Sequence, residues 1–440
     1  MTIFTTKIWY KCAMPKRFCQ WVWMGVFYAV AIGLLSSTAT APCHAQSDVP
    51  PAVAPVTLDQ LLSQAQEKNP TLRLQRALIE VRRAQILSAG TVPNPTLSSE
   101  NGFAEQTYHL SIEQTIELGN KRQGRLRLAK NALDIAQQEA AGQRLAILTE
   151  VRRAYVAVYL LQARKALYQT MVVLTQKLQD LAEKREKAGD MHPNDVLQAE
   201  IENLQAENAL EQITVAALRE QQHLNILVGL PLDTELALAP LPETLPRAGR
   251  PADAVVTVQN WIALALAHRS DIQANGLEQR QAALQTALAK AYRIPDLSLN
   301  VGPQWVSGPG GRAGVFAAGA MTLPVWNRQQ GALAEAAAQA QVATAQGLAL
   351  QAKVTLEVSQ AWASIITSAQ HLEHYHTTLL PKAHRLQIQS LQSFAAGKSE
   401  IATALLAQEA YTHTRLGYLE TLGEFQNAVC DLQEAVAVLL

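Results

Sequence analysis

The chain has 440 residues, with 37 Lys plus Arg against 37 Asp plus Glu, and its 48% hydrophobic share includes few aromatics. A formal charge of zero, with cations scattered along the chain, removes the electrostatic footprint of a nucleic-acid binder. Length allows two or three ordinary domains, but abundant alanine suits tightly packed helices better than large mixed cores.

Lys7, Lys11, Lys16 and Arg17 precede an apolar run from Trp21 to Leu35, and small residues then lead to Cys43-His44-Ala45. This pattern predicts a secretory signal peptide over residues 1–45, cleaved after Ala45. The alternatives are an N-terminal membrane anchor, for which the run is short, and lipidation of Cys43, where Pro42 occupies a position that wants a small residue. Cleavage after Ala45 would leave Cys430 as the only cysteine and no internal disulfide framework.

Residues 46–56, with Pro50, Pro51 and Pro55, form an extended lead-in. Thr57-Leu58-Asp59-Gln60 then reads as a capped helix start. That helix carries on through Leu72, Leu74, Leu78 and Val81, breaks at Asn69-Pro70, and stops before Pro93-Asn94-Pro95. Its partner in the second half runs from Val258 to Tyr292 and stops at Pro295.

After each proline exit the period changes from helical to two. Tyr108, Leu110, Ile112, Ile116 and Leu118 alternate with His109, Ser111, Glu113, Thr115 and Glu117; Leu297, Leu299, Val301, Pro303 and Trp305 alternate with polar residues and Gly302. Weaker strands are expected over about 96–103 and 315–323. Asn101-Gly102 and Ser307-Gly308-Pro309-Gly310-Gly311 supply turns, giving one hairpin in each half. A soluble two-hairpin cap on a helical stalk is the bland reading. Against it, strands of about ten residues with an apolar-out, polar-in dyad suit a transmembrane β-barrel. Four strands cannot close such a barrel, and open edges are not tolerated in lipid, so several copies must share one. Two copies give eight strands and three give twelve.

Asn120-Lys121-Arg122-Gln123-Gly124-Arg125-Leu126 reappears as Asn327-Arg328-Gln329-Gln330-Gly331-Ala332-Leu333. In that register Leu126, Ala129, Leu133, Ala136, Ala140 and Ile147 match Leu333, Ala336, Ala340, Ala343, Gly347 and Val354, alternating steps of three and four as a helix seam does. The first long helix meets no breaker before Gly189-Asp190-Met191-His192-Pro193, so at about 1.5 Å per residue it reaches roughly 100 Å. Lys187-Ala188-Gly189-Asp190 matches Ala395-Ala396-Gly397-Lys398, and each turn leads to a return helix, about 193–227 and 399–438. The domains are therefore a first repeat over 57–230, a Pro-rich linker over 231–257 and a second repeat over 258–440.

Leu58-Asp59-Gln60-Leu61 with Asn69-Pro70, Pro93-Asn94-Pro95, Ile116-Glu117-Leu118-Gly119-Asn120-Lys121-Arg122, and Ala188-Gly189 with Asp195-Val196-Leu197 resemble the TolC-type outer-membrane efflux factors. The Ile-Glu-Leu-Gly-x-Lys-Arg piece looks most like the cobalt, zinc and cadmium resistance branch. The resemblance implies a mainly α protein with a small membrane β-barrel: a homotrimer sharing twelve strands above a twelve-helix periplasmic tunnel, in the outer membrane of a Gram-negative bacterium. Gly189 and Gly397 would be periplasmic tips, docking with a periplasmic adaptor and a proton-driven inner-membrane pump of the RND type. The chain would be a passive conduit for metal cations, with no cofactor and no chemistry of its own. An organic-drug or polypeptide-secretion factor is the runner-up, and a poreless coiled-coil envelope protein the rival of another class. The family's aspartate ring after the second tip does not carry over, since Thr403 and Leu406 stand at the matching positions.

The densest metal-capable cluster is His371, His374 and His376, with Glu373 between and His384 further on; His371 and His374 share a helix face. Solvated histidines would look the same. His109, Glu113 and Glu117 lie on the predicted lumen side of a strand. Asp190, His192 and Asp195 at the first tip are suited to attracting cations or pairing with an adaptor. There is no His-Glu-x-x-His and no phosphate loop, and the glycines of 308–314 lead into a strand where a nucleotide loop needs a helix. The chain reads as a non-enzyme.

Overall fold

The computed structural model of the protein describes residues 55–102, 107–241, 257–307 and 309–437. The expected signal peptide with Cys43, nearly all of the lead-in and residues 242–256 of the linker lie outside the described residues. In chain order the elements are α1 (Leu58–Lys68), α2 (Pro70–Ala89), β1 (Thr96–Gly102), β2 (Thr107–Ile116), α3 (Lys121–Lys187) and α4 (Pro193–Val228). The second repeat follows with α5 (Val258–His268), α6 (Ser270–Ala291), β3 (Leu297–Val306), β4 (Ala313–Met321), α7 (Gln330–His374), a π-helical turn (Tyr375–Leu379), α8 (Leu380–Ala395) and α9 (Ile401–Val436).

The break between α1 and α2 falls where the sequence puts it. The buried Asn69 side chain accepts from the Thr71 and Leu72 amides at 2.9 and 3.1 Å and donates to the Leu227 carbonyl at 2.8 Å, while Pro70 opens α2. The second repeat breaks at the same place, correcting the expectation of one helix from Val258 to Tyr292. Its joint contains no proline. Arg269, in extended conformation, instead spans to the carboxylates of Asp271 at 2.7 Å and Glu357 at 2.6 Å and to the Ala435 carbonyl at 3.2 Å. A side chain thus does in the second repeat what an Asn-Pro cap does in the first.

α3 is one unbroken helix of 67 residues, whereas its counterpart is interrupted by the π turn. The reason lies in the repeat register. Asn327 follows its match Asn120 by 207 residues, but Gly397 follows Gly189 by 208. One residue more must be housed between the two matches, and a π turn, closing i to i+5, houses one without breaking the hydrogen-bond ladder. Deleting Thr377, inside the turn, should therefore leave a continuous α-helix and a folded protein, whereas deleting Ala163 in α3 should rotate every seam residue beyond it by about 100° and abolish folding. Far-UV circular dichroism and native gels of the two deletions would read this; equal damage from both would refute the assignment.

The small-residue seam holds: Ala336, Ala343, Gly347 and Val354 are buried along α7, and Ile147 along α3, with Leu126, Ala129 and Leu133 half-buried. α6 packs between α3 and α7, and α9 lies against α3, α7 and α8. The two repeats are thereby fused along their length. No helix among the described residues is long and apolar enough to cross a membrane.

The strands form one antiparallel sheet in the order β1-β2-β3-β4, so the hairpin of each repeat joins the other through β2 and β3. Asn101 and Gly102 are paired strand residues rather than the turn, opposite Tyr108 and Thr107; the connection itself falls in 103–106, outside the described residues. The start of the linker is pinned down rather than loose. Val56 pairs with Leu238, Leu236 and Leu241 are buried, and Tyr155 donates to the Ala239 carbonyl at 2.7 Å.

Candidate functional site

The sheet is inside out by the standard of a soluble protein. Residues directly opposite on neighbouring strands share a face, and the row Leu97, Ile112, Val301, Ala317 is exposed in all four strands. Tyr108 and Trp305 stack at 6.3 Å on that same exposed side. The other side carries the polar row Thr96, Glu113, Asn300 and the pair Ser98–Ser111, whose hydroxyls are 3.0 Å apart; Ser111 is buried and Glu113 half-buried. His109 lies on it too, edge-on to Phe316 at 5.3 Å. A soluble cap would bury the first side and wet the second.

Glu117 departs from the expectation of a strand residue facing a lumen. β2 ends at Ile116, and Glu117 is clasped by Arg125, one N–H···O contact measuring 2.9 Å. The bond raises the Arg125 guanidinium above its ordinary pKa, and Arg125 also reaches the Ala89 and Thr91 carbonyls. The rest of the motif turns the strand into the long helix. Gly119 and Asn120 adopt positive φ of 73° and 59°, and a β-carbon at Gly119 would lie 2.9 Å from the Ala291 carbonyl oxygen. Asp296 accepts from the Leu118 amide at 3.0 Å and from the buried Lys121 ammonium at 2.6 Å, and Arg122 donates to the Gly90 carbonyl at 2.6 Å. Sequence reading singled out this motif but not Asp296, the acceptor that ties it to the second repeat.

At the far end of α3 both tip glycines close their helices with positive φ, 82° at Gly189 and 73° at Gly397, and in each the amide three residues beyond the helix returns to a carbonyl five back, Asp190 to Arg185 and Lys398 to Ser393 at 2.9 Å. One apolar cluster, including Leu178, Ala182, Phe394 and Ile401, underlies both. The Arg185 guanidinium sits 4.8 Å from the Phe394 ring centroid, so the two tips are braced side by side. Asp190 is exposed; Asp195 lies in the first turn of α4, where the helix dipole favours a carboxylate.

Residues 61–230, essentially the first repeat, match the family model described as outer membrane efflux protein. The chain is 27% identical over 384 residues, 87% of its own length and 90% of the other's, to the cobalt-zinc-cadmium resistance protein CzcC of Cupriavidus metallidurans. The first repeat of the chain is thus similar to the outer membrane efflux proteins. Among solved structures the outer-membrane channel OprN superposes with a TM-score of 0.72 at 16% identity, covering 86% of this chain and 89% of its own. The outer membrane protein VceC of Vibrio cholerae gives 0.70 at 19%, covering 87% and 96%. These likenesses establish a TolC-like fold.

The structure does not draw the three histidines of the sequence cluster together. His371 and His374 end α7, His376 belongs to the π turn and all three are exposed. Among the described residues no three His, Cys, Asp or Glu side chains are grouped as a bound ion requires, these three included. His384 instead faces the ring of Tyr411 at 5.5 Å. The described thiol, Cys430, is buried, and burial pushes its pKa up to about 11, so it stays protonated at neutral pH and is a poor metal ligand. Thr403 and Leu406, where the family's aspartates would stand, are both exposed.

Proposed function

We propose that this chain is an outer membrane efflux protein, the outer-membrane conduit of a tripartite, RND-type efflux system, and that its cargo is heavy-metal cations. The observation that carries the reading is the sheet: apolar side chains exposed on one side, polar ones gathered on the other, and two unpaired edges, β1 and β4. Strands of nine and ten residues in β2, β3 and β4 are the length a tilted transmembrane strand needs. Three copies close twelve strands into a barrel with a lumen, abolishing the edges. His109 and Glu113 then line that lumen, and the stacked Tyr108 and Trp305 belong to an aromatic girdle at its lipid-facing rim. The α-helical part lies in the periplasm. Its tips, Gly189, Asp190, Asp195 and Gly397, are the ends that meet the adaptor, and the inner-membrane pump supplies the energy. The chain itself does no chemistry.

Metal cargo rests on the likeness to CzcC. The test is growth of a deletion strain and its complemented parent on zinc, cobalt, cadmium, nickel, copper and silver, beside a detergent and two dyes. Sensitivity to some metals alone is the expected result. Sensitivity to the organic compounds would replace the cargo, and purified protein without conductance in planar bilayers would overturn the conduit.

A further inference from the structure

The polar side of the sheet is unevenly supplied with partners. Glu113 on β2 stands directly opposite Asn300 on β3, with Thr96 of β1 on its other flank, and residues so opposed have β-carbons about 4.5–5.5 Å apart. The Asn300 amide oxygen is buried and accepts no hydrogen bond. Glu113 is half-buried, and no described side chain pairs with its carboxylate. The carboxylates just beyond this row are both clasped, Glu117 by Arg125 and Asp296 by Lys121. Two adjacent acceptors without a donor are stable where something positive lies between them, because a buried acceptor left unpaired costs free energy.

The chemistry of the row narrows what that is. Its ligand atoms are all oxygen: a carboxylate, an amide and the Thr96 hydroxyl. Oxygen donors suit divalent cations that keep part of their water, whereas soft cations such as copper(I) and silver seek thiolate or thioether. Met321, the sulfur-bearing side chain of the sheet among the described residues, lies on the apolar side, in line with Leu297 and Ile116. His109 shares the polar side with Glu113 but is about 14 Å away along the strand, so it does not complete the set. One carboxylate and one amide oxygen leave most of a cation's coordination to water. Binding of that kind is weak enough to release, as conduction requires.

We infer that Glu113 and Asn300 form a cation subsite inside the conduit, which takes hydrated divalent cations and passes over soft monovalent ones. It rests on the conduit reading above, which turns this side of the sheet to the lumen and repeats the pair in each copy.

The test is single-channel current through the purified full chain in planar bilayers, in potassium nitrate with zinc nitrate or silver nitrate added. Zinc nitrate should reduce the wild-type potassium current, and silver nitrate at the same concentration should not. Glu113→Gln should raise the half-blocking zinc concentration by about tenfold or more, the loss of one charged contact, and Asn300→Ala by a smaller factor. Asn300→Asp places a second carboxylate at the unpaired oxygen and should lower that concentration, so it decides the matter if Glu113→Gln fails to assemble. A wild-type current indifferent to zinc, or a block unchanged in the variants, would refute the subsite and leave the conduit standing. Silver blocking as strongly as zinc would overturn the oxygen-ligand assignment. Wild-type protein that carries no current would overturn the conduit and the subsite together.

Discussion

Asp296→Asn is expected to cost about 3 kcal/mol of stability and to deplete the outer membrane of assembled protein. The Lys121 side chain is 4% exposed and that of its partner Asp296 is 32% exposed. Removing one member of a buried pair leaves an uncompensated charge, for which about 3–5 kcal/mol is typical; the partial exposure of Asp296 puts the expectation at the low end. The asparagine oxygen still accepts from the Leu118 amide, so the loss isolates the charge. Lys121→Met combined with Asp296→Asn should recover most of it, because no ion is then left unpaired. Urea midpoints of detergent-purified protein read the stability, and heat-modifiable migration reads the assembly. A single variant indistinguishable from wild type in both would show that the junction is not held by this pair.

The junction also shows what the sequence makes legible. Alternation of two and of three-and-four steps is a direct imprint of geometry, so the hairpins, the 67-residue helix and the tip turns were all readable. Interactions that cross between repeats leave no such imprint. Pro95-Thr96-Leu97-Ser98 resembles Pro295-Asp296-Leu297-Ser298, yet nothing in that likeness says that Asp296 reaches back to Lys121. Glu117 continued the strand's alternation in the sequence, but the strand stops at Ile116 and the carboxylate turns to Arg125. The Arg269 joint escaped notice because its cause is three side-chain bonds rather than a proline. The π turn had a signal that was present in the sequence, namely the change of register from 207 to 208 between the two halves. The histidines were grouped by their spacing in the chain, whereas holding an ion requires side chains converging in space, and an exposed stretch running into a wider turn does not bring that about.

Gly302→Ala is expected to be the more damaging substitution, and selectively so. Gly302 lies on β3 where that strand runs beside β2, and a β-carbon there would overlap the Leu110 carbonyl oxygen and come within 2.6 Å of the Ser111 α-carbon. Both obstacles are backbone, so no side chain can swing aside; the strands must part at the β2–β3 joint that links the two hairpins among the described residues. Overpacking against flexible neighbours costs about 1–3 kcal/mol, and a clash with a fixed strand belongs at or above the top of that range, a hundredfold or more in the folded fraction by the usual conversion of about 1.4 kcal/mol per tenfold. The helices bury their seams independently of the sheet. Circular dichroism should therefore show helix content near wild type while the heat-modifiable oligomer disappears from the outer membrane. Gly314→Ala, in β4 with open space around its β-carbon, is the matched control and should assemble normally. If Gly302→Ala assembles as well as Gly314→Ala, the two hairpins are not joined as β2 against β3, and a barrel built by repeating that joint between copies loses its template.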